Sequence, residues 1–151
     1  MIGRLLVAVA LASIAVVLAQ LLRRRRVTDA PSRPSAFAVP AQLDRADFDR
    51  PDAPWLVVLF SSATCQTCAD VAAKAKVVEC RDVAVQEVEF TAGRRLHERY
   101  GIDAVPTLVV ADASGVVTAA FLGPMSATDL WAAIAEAREP GSSPEPGLGQ
   151  V

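Results

Sequence analysis

The sequence predicts an α/β sandwich built around a mixed β-sheet, preceded by an N-terminal apolar helix. Three observations carry this. Apolar runs of strand length alternate with stretches of helical period over residues 41–138. A pair of cysteines stands where the first long apolar run gives way to a helical stretch. The last two strand-like runs are joined by only Asp112-Ala113-Ser114-Gly115, a hairpin connection, so the sheet cannot be wholly parallel.

Each element follows from its residues. Residues 41–48 form a short first turn or helix with Asp44 as its cap. Residues 55–60 are continuously apolar, β-branched and aromatic, which marks a central strand buried on both faces. A polar break covers 61–64. In 69–79, Val71, Ala72, Ala75 and Val78 recur at helical spacing while Lys74 and Lys76 fall elsewhere. Residues 83–89 alternate in part and form a second strand. Thr91 is placed to cap a helix that runs through Tyr100 and stops at Gly101. Residues 107–111 and 116–122 are the hairpin strands. Ser126-Ala127-Thr128-Asp129 has the form of a capping box, with Asp in the Glu position, and opens a last helix to about Ala137. Leu130, Trp131, Ile134 and Ala137 are its expected buried stripe. The order is β-α-β-α-β-β-α, and strands joined through helices are expected to be parallel.

Residues 5–22 carry no charge. As a helix they reach about 27 Å, against about 30 Å of bilayer core. Alanines, Ser13 and Gln20 make the span marginal, and Arg23-Arg24-Arg25-Arg26 closes it at once. Each arginine costs about 3 kcal/mol on insertion scales, so the block acts as a stop. Two readings fit. In an uncleaved single-pass anchor, only Arg4 and the terminal amine flank one end, and the positive-inside rule puts the domain on the cytoplasmic side of the cell membrane. In a signal peptide cut after Val17-Leu18-Ala19, the domain is exported, but four arginines just past the cut resist translocation. The anchor is the preferred reading. The organisation is then an anchor with its arginine block (1–26), a flexible linker with Pro31, Pro34 and Pro40 (27–40), the folded domain (41–138) and a disordered Pro/Gly/Ser tail (139–151).

Composition narrows the function. At 52% hydrophobic and 21% charged residues, the chain is not a disordered polymer. Five of its 15 basic residues lie in the first 26 positions, which leaves 10 bases against 17 acids beyond them. That balance gives no basic footprint for nucleic acid. Three cysteines do not make a disulfide scaffold.

Cys65-Gln66-Thr67-Cys68 is the motif that carries chemistry. It follows the most apolar strand and opens a helix, where first-turn N–H groups and the positive end of the helix dipole favour a thiolate. The spacing puts the second sulfur one turn along, close enough to close a small disulfide ring. Cys65 is the expected exposed nucleophile and Cys68 the more buried resolving thiol.

With these residues in view, the stretch from about Gln42 to Ala137 resembles a thioredoxin-like domain. The matching pieces are Leu43 to Phe48, Leu56 to Phe60 leading into Cys65 and Cys68, Leu96 to Pro106 (LHERYGIDAVP) with Thr107, and Gly123 after the hairpin. The resemblance implies a three-layer sandwich and a cis peptide bond before Pro106, beside the cysteine pair. It also implies that the Val105 backbone binds an extended substrate segment, with Thr64 flanking the site. The implied activity is protein-disulfide oxidoreduction, with protein disulfides as substrates, a dithiol protein as electron donor and neither organic cofactor nor metal. The chain departs from thioredoxins proper in three ways. Thr64 stands where a tryptophan is usual, Gln66-Thr67 where Gly-Pro is usual, and Leu59 where a buried acid assists proton transfer. These residues tune thiolate stability, so a potential and substrate set of its own are expected.

Blander readings remain beside this one. A metal would need more ligands than one cysteine pair offers. Cys80, 12 residues after Cys68, lies about 18 Å along a helix axis, and His97 falls in another helix as an expected surface residue. Cys80 reads as a free thiol. Trp55 and Trp131 read as core or rim packing, and Lys74, Lys76, Arg94, Arg95 and Arg99 as solvated helix faces. The pair is otherwise structural, or the fold serves as a redox-inert adaptor module at the membrane.

Overall fold

The structure, a computed structural model, describes residues 39–142. The anchor, most of the linker and nearly all of the tail lie outside them. Among the described residues no helix is long and apolar enough to cross a membrane.

Four strands form one sheet: β1 (Trp55–Ser61), β2 (Val83–Glu89), β3 (Thr107–Ala111) and β4 (Val117–Leu122), in the order β2-β1-β3-β4. Three helices accompany them: α1 (Gln66–Val77), α2 (Arg94–Arg99) and α3 (Ala127–Arg138), after a 3-10 turn at Arg45–Asp47. β1 is central and buried almost throughout, as its unbroken apolar run demands. It pairs parallel with β2, across α1. β3 runs antiparallel to β1, although a helix also precedes it. Sequence order cannot make that choice, because a helical connection returns the chain to either end of the sheet. β4 closes the hairpin with β3 as expected, with a register shift at Val110/Ala111.

The alternation of β1 divides the core in two. Val57 and Leu59 face Val71 and Ala75 of α1 and Leu130, Ala133 and Ile134 of α3. Leu56, Val58 and Phe60 face Tyr100, Leu96 and the residues around the 3-10 turn, Leu43 and Phe48. The result is a sheet covered on both sides, in three layers.

Local chemistry sets the element ends. Asp44 caps the 3-10 turn by accepting from the Ala46 N–H. Ser126 and Asp129 exchange hydrogen bonds in a complete capping box. Gly101 follows α2 with φ +64°, a stop that favours glycine. Two expectations are corrected here. The second helix begins at Arg94 after Gly93, and Thr91 does not cap it. Gly93 is needed for space, since a Cβ there would lie 2.3 Å from Val88 Cγ1. Trp131 is 51% exposed, because the buried stripe of α3 is Leu130, Ala133 and Ile134, and Trp131 lies about 100° round from it.

Candidate functional site

The dithiol lies where the central strand ends. β1 runs out at buried Ser61, the chain turns over residues 62–64, and Cys65 becomes the N-cap of α1. Its N–H donates to the Ser62 carbonyl at 3.0 Å. The Cys65 sulfur accepts the Cys68 N–H at 3.1 Å and lies 3.5 Å from Thr67 Oγ1. Cys65 and Cys68 are joined as a disulfide, with Cα atoms 5.4 Å apart. Cys68 is buried at 2% exposure and Cys65 is half-buried. One sulfur therefore faces outward, on the first-turn N–H groups of a 12-residue helix. Once reduced, a thiolate there meets both a hydrogen-bond donor and the positive end of the helix dipole.

The loop that presents this sulfur is held from β2. The Glu89 carboxylate accepts from Ala63 N–H at 3.2 Å, Thr91 N–H at 2.8 Å and Ala92 N–H at 3.1 Å. The Ala92 bond is the strongest of the causes that keep this carboxyl below the usual range, against the opposing effect of its burial. The helix α2 has no side-chain cap, and the N–H groups that Glu89 takes up lie ahead of its N-cap Gly93. Next to Glu89, Ser61 Oγ donates to Glu87 at 2.6 Å.

Opposite the loop, the Val105–Pro106 peptide bond is cis. The β1–β3 ladder ends at the Phe60–Thr107 pair, just after this bond, and Val105 and Ser62 line one cavity. The Pro106 carbonyl accepts from Gly123 N–H at 2.8 Å. The N–H and C=O of Val105 have no partner among the described residues. A free backbone edge thus lies alongside the redox loop. A cavity of about 190 Å³ opens beside it, lined by Ser62, Phe90, His97, Ile102, Asp103, Ala104 and Val105. A larger concavity of about 890 Å³ lies around the 3-10 turn and Tyr100, where Asp44 and Asp47 are already paired with Arg99. It includes neither cysteine.

This arrangement can be compared with known proteins. No family model matches the chain, and no curated protein matches it. Among solved structures, a mutant thioredoxin from Halobacterium salinarum superposes with a TM-score of 0.52 at 23% identity, over 66% of this chain and 88% of that one. Thioredoxin f from spinach chloroplast gives 0.52 at 21% identity, over 68% and 98%. The chain has the thioredoxin fold. Identities this low establish the thioredoxin fold alone and leave the activity to be argued from residues.

Of the residues singled out from sequence, the thioredoxin fold brings Cys65 and Cys68 into bonding contact. It brings Val105, joined to Pro106 by the cis bond, to one cavity with Ser62 of the preceding loop. Thr64 is exposed in that loop, its hydroxyl 3.2 Å from Ser62 Oγ. Leu59, at the position of the usual acid, is buried at 1% exposure in the α1–α3 core. No group of three metal-ligating side chains occurs among the described residues. Cys80 is an exposed free thiol, past the end of α1.

Other expectations change. His97 is buried at 2% exposure instead of lying on the surface, because Nε2 has a partner at 2.9 Å in the Val88 carbonyl and the ring stands edge-on to Phe60 and Phe90. The cations read as solvated helix faces do lie at the surface, where they form exposed ion pairs: Lys74 with Asp70, Lys76 with Glu79, Arg94 with Glu98, Arg95 with Asp47 and Arg99 with Asp44. Glu89 went unnoticed in the sequence, and Thr67 stood out only as a residue between the cysteines, not as a neighbour of the Cys65 sulfur. The available signals were an acid at the end of a strand before a glycine-containing turn, and a hydroxyl two residues past the helix cap.

Proposed function

We propose that this chain is a thiol–disulfide oxidoreductase that exchanges disulfides with protein substrates through Cys65 and Cys68. The observation that carries the reading is the outward Cys65 sulfur at the helix cap, hydrogen-bonded by the Cys68 N–H and joined to a buried partner sulfur.

In the reductive direction, the Cys65 thiolate attacks one sulfur of a substrate disulfide. A Cys65–substrate bond forms, the substrate S–S bond breaks, and the departing thiolate takes a proton. Cys68, having lost its proton, then attacks Cys65. The mixed disulfide breaks, the second substrate thiol leaves, and the pair ends oxidised. Two electrons have passed to the substrate, and a dithiol protein donor restores the pair. The unpaired N–H and C=O of Val105 suit antiparallel pairing with an extended substrate backbone, and Thr64 borders the attacking sulfur. This chemistry asks for neither metal nor organic cofactor.

The same reading places the domain at the cell membrane, tethered through residues 5–22, with the Arg23–Arg26 block on the cytoplasmic side; export is the alternative. On the cytoplasmic side, glutathione and thioredoxin systems keep the pair reduced, which favours the reductive direction.

The test is insulin reduction with dithiothreitol, comparing the chain with Cys65→Ser. Turbidity should rise well above the mutant's background. Equal traces would instead favour a redox-inert adaptor using the same groove.

A further inference from the structure

The cavity beside Val105 has a chemistry of its own, which the exchange reaction does not use. At about 190 Å³ it is below the size of a pocket for a nucleotide or other small-molecule cofactor and suits one amino-acid side chain. It opens on the free backbone edge at Val105 and on Ser62, whose carbonyl receives the Cys65 N–H. A side chain entering it therefore belongs to a residue close to the substrate cysteine being attacked.

Its lining combines apolar side chains with a few polar groups. Phe90, 43% exposed, forms a wall together with Ile102 and Val105. The Val88 carbonyl can only accept, so His97 donates to it from Nε2. Asp103 is exposed and has no hydrogen bond or ion pair among the described residues. Nearby carboxylates are all taken: Glu87 by Ser61, Glu89 by three backbone N–H groups, and Glu98 by Arg94. The Ser62 hydroxyl is occupied with Thr64. An apolar lining beside a carboxylate with no partner among the described residues complements a long apolar stem with a cationic head.

We infer that this cavity is a specificity subsite for a lysine or arginine side chain beside the reacting cysteine of the substrate. The inference rests on the proposed oxidoreductase reading. The stem lies along Ile102, Val105 and the Phe90 ring, and the head pairs with Asp103. An acidic side chain at the same place would face Asp103.

Disulfide-bonded peptides differing only in one residue, Lys or Glu, placed in turn at the two positions on either side of the cysteine, test this with the full chain and dithiothreitol. The readout is the Lys-to-Glu ratio of kcat/KM, in which any general change in activity cancels. At one of these positions the ratio should favour Lys by roughly fivefold, the scale of one partly exposed ion pair. It should shrink as salt is raised, approach one in Asp103→Asn, and invert in Asp103→Lys. A ratio near one at every position, or a preference indifferent to Asp103, overturns the subsite while leaving the exchange activity in place. Fluorescence anisotropy of the labelled peptides on a Cys65→Ser, Cys68→Ser chain reads the same preference without any exchange. If no peptide is reduced but Lys still binds better than Glu, the subsite stands and the oxidoreductase reading fails. If binding also shows no preference, both fail.

Discussion

Cys65 and Cys68 divide their work by position. Cys65 caps α1 and is half-buried while Cys68 is covered one turn along, so in the proposed function Cys65 is the sulfur a substrate reaches. Cys65→Ser should therefore reduce insulin no faster than dithiothreitol alone. Cys68→Ser should retain the attack but lose the resolving step, and so accumulate a mixed disulfide with its client, visible as a thiol-sensitive band on a non-reducing gel. Glu89 acts one step back. Removing its carboxylate in Glu89→Ala frees the Ala63, Thr91 and Ala92 N–H groups together, and the Ala63 amide should exchange with deuterium faster than in the native chain. Leu59 contributes packing in the core between the sheet and the helices α1 and α3. It lies between Glu87 of β2 and Leu108 of β3 and is fully covered, so Leu59→Ala should cost about 2–5 kcal/mol in urea unfolding.

The elements depend on a few positions that the pattern of apolar residues does not reveal. Gly115 ends the hairpin loop with φ +83°, and a Cβ there would lie 2.0 Å from the Leu43 carbonyl oxygen. Gly115→Ala should cost more than about 1 kcal/mol, read from the shift in the denaturation midpoint. Asp112 shapes the same loop by accepting from Ser114 N–H and Val116 N–H. Arg45, 8% exposed, fastens the 3-10 turn to that hairpin through the Asp112 carbonyl and to the chain before β1 through the Ala53 carbonyl. In α3 the capping box is spelled out in sequence, and Ser126→Ala should remove about 1 kcal/mol of stability. The second helix shows the opposite case. Thr91 had the right chemistry for a cap, but the helix starts further along, after Gly93, and has no side-chain cap.

Across the whole molecule, pH should bound stability from both sides. Burial pushes the Asp112 carboxyl up, but its bonds from Ser114, Val116 and Gly115 together hold it below the usual range, and Glu89 is held low by Ala92 and its neighbours. Both groups bind protons more weakly when folded. They stabilise the fold above the ordinary carboxylate range, and that contribution disappears as pH falls through their lowered values. Burial, and then its hydrogen bond to Asp47, raises Tyr100, whose contribution is present below the ordinary tyrosine range and fades as pH rises through the raised value. Urea midpoints should form a plateau that falls at both ends, and Tyr100→Phe should flatten the alkaline side. By itself the sequence determined the order of the elements, the central place of β1, the dithiol at a strand-to-helix junction and the capping box, because each is encoded within a short window by hydrophobic period or by a side chain reaching its own backbone. Only the tertiary structure decided that β3 runs antiparallel, that His97 is buried and Trp131 exposed, that Glu89 braces the loop before Cys65, and that Val105 and Ser62 line one cavity. Those depend on pairings between residues far apart in the chain, and no local pattern records which surfaces will meet.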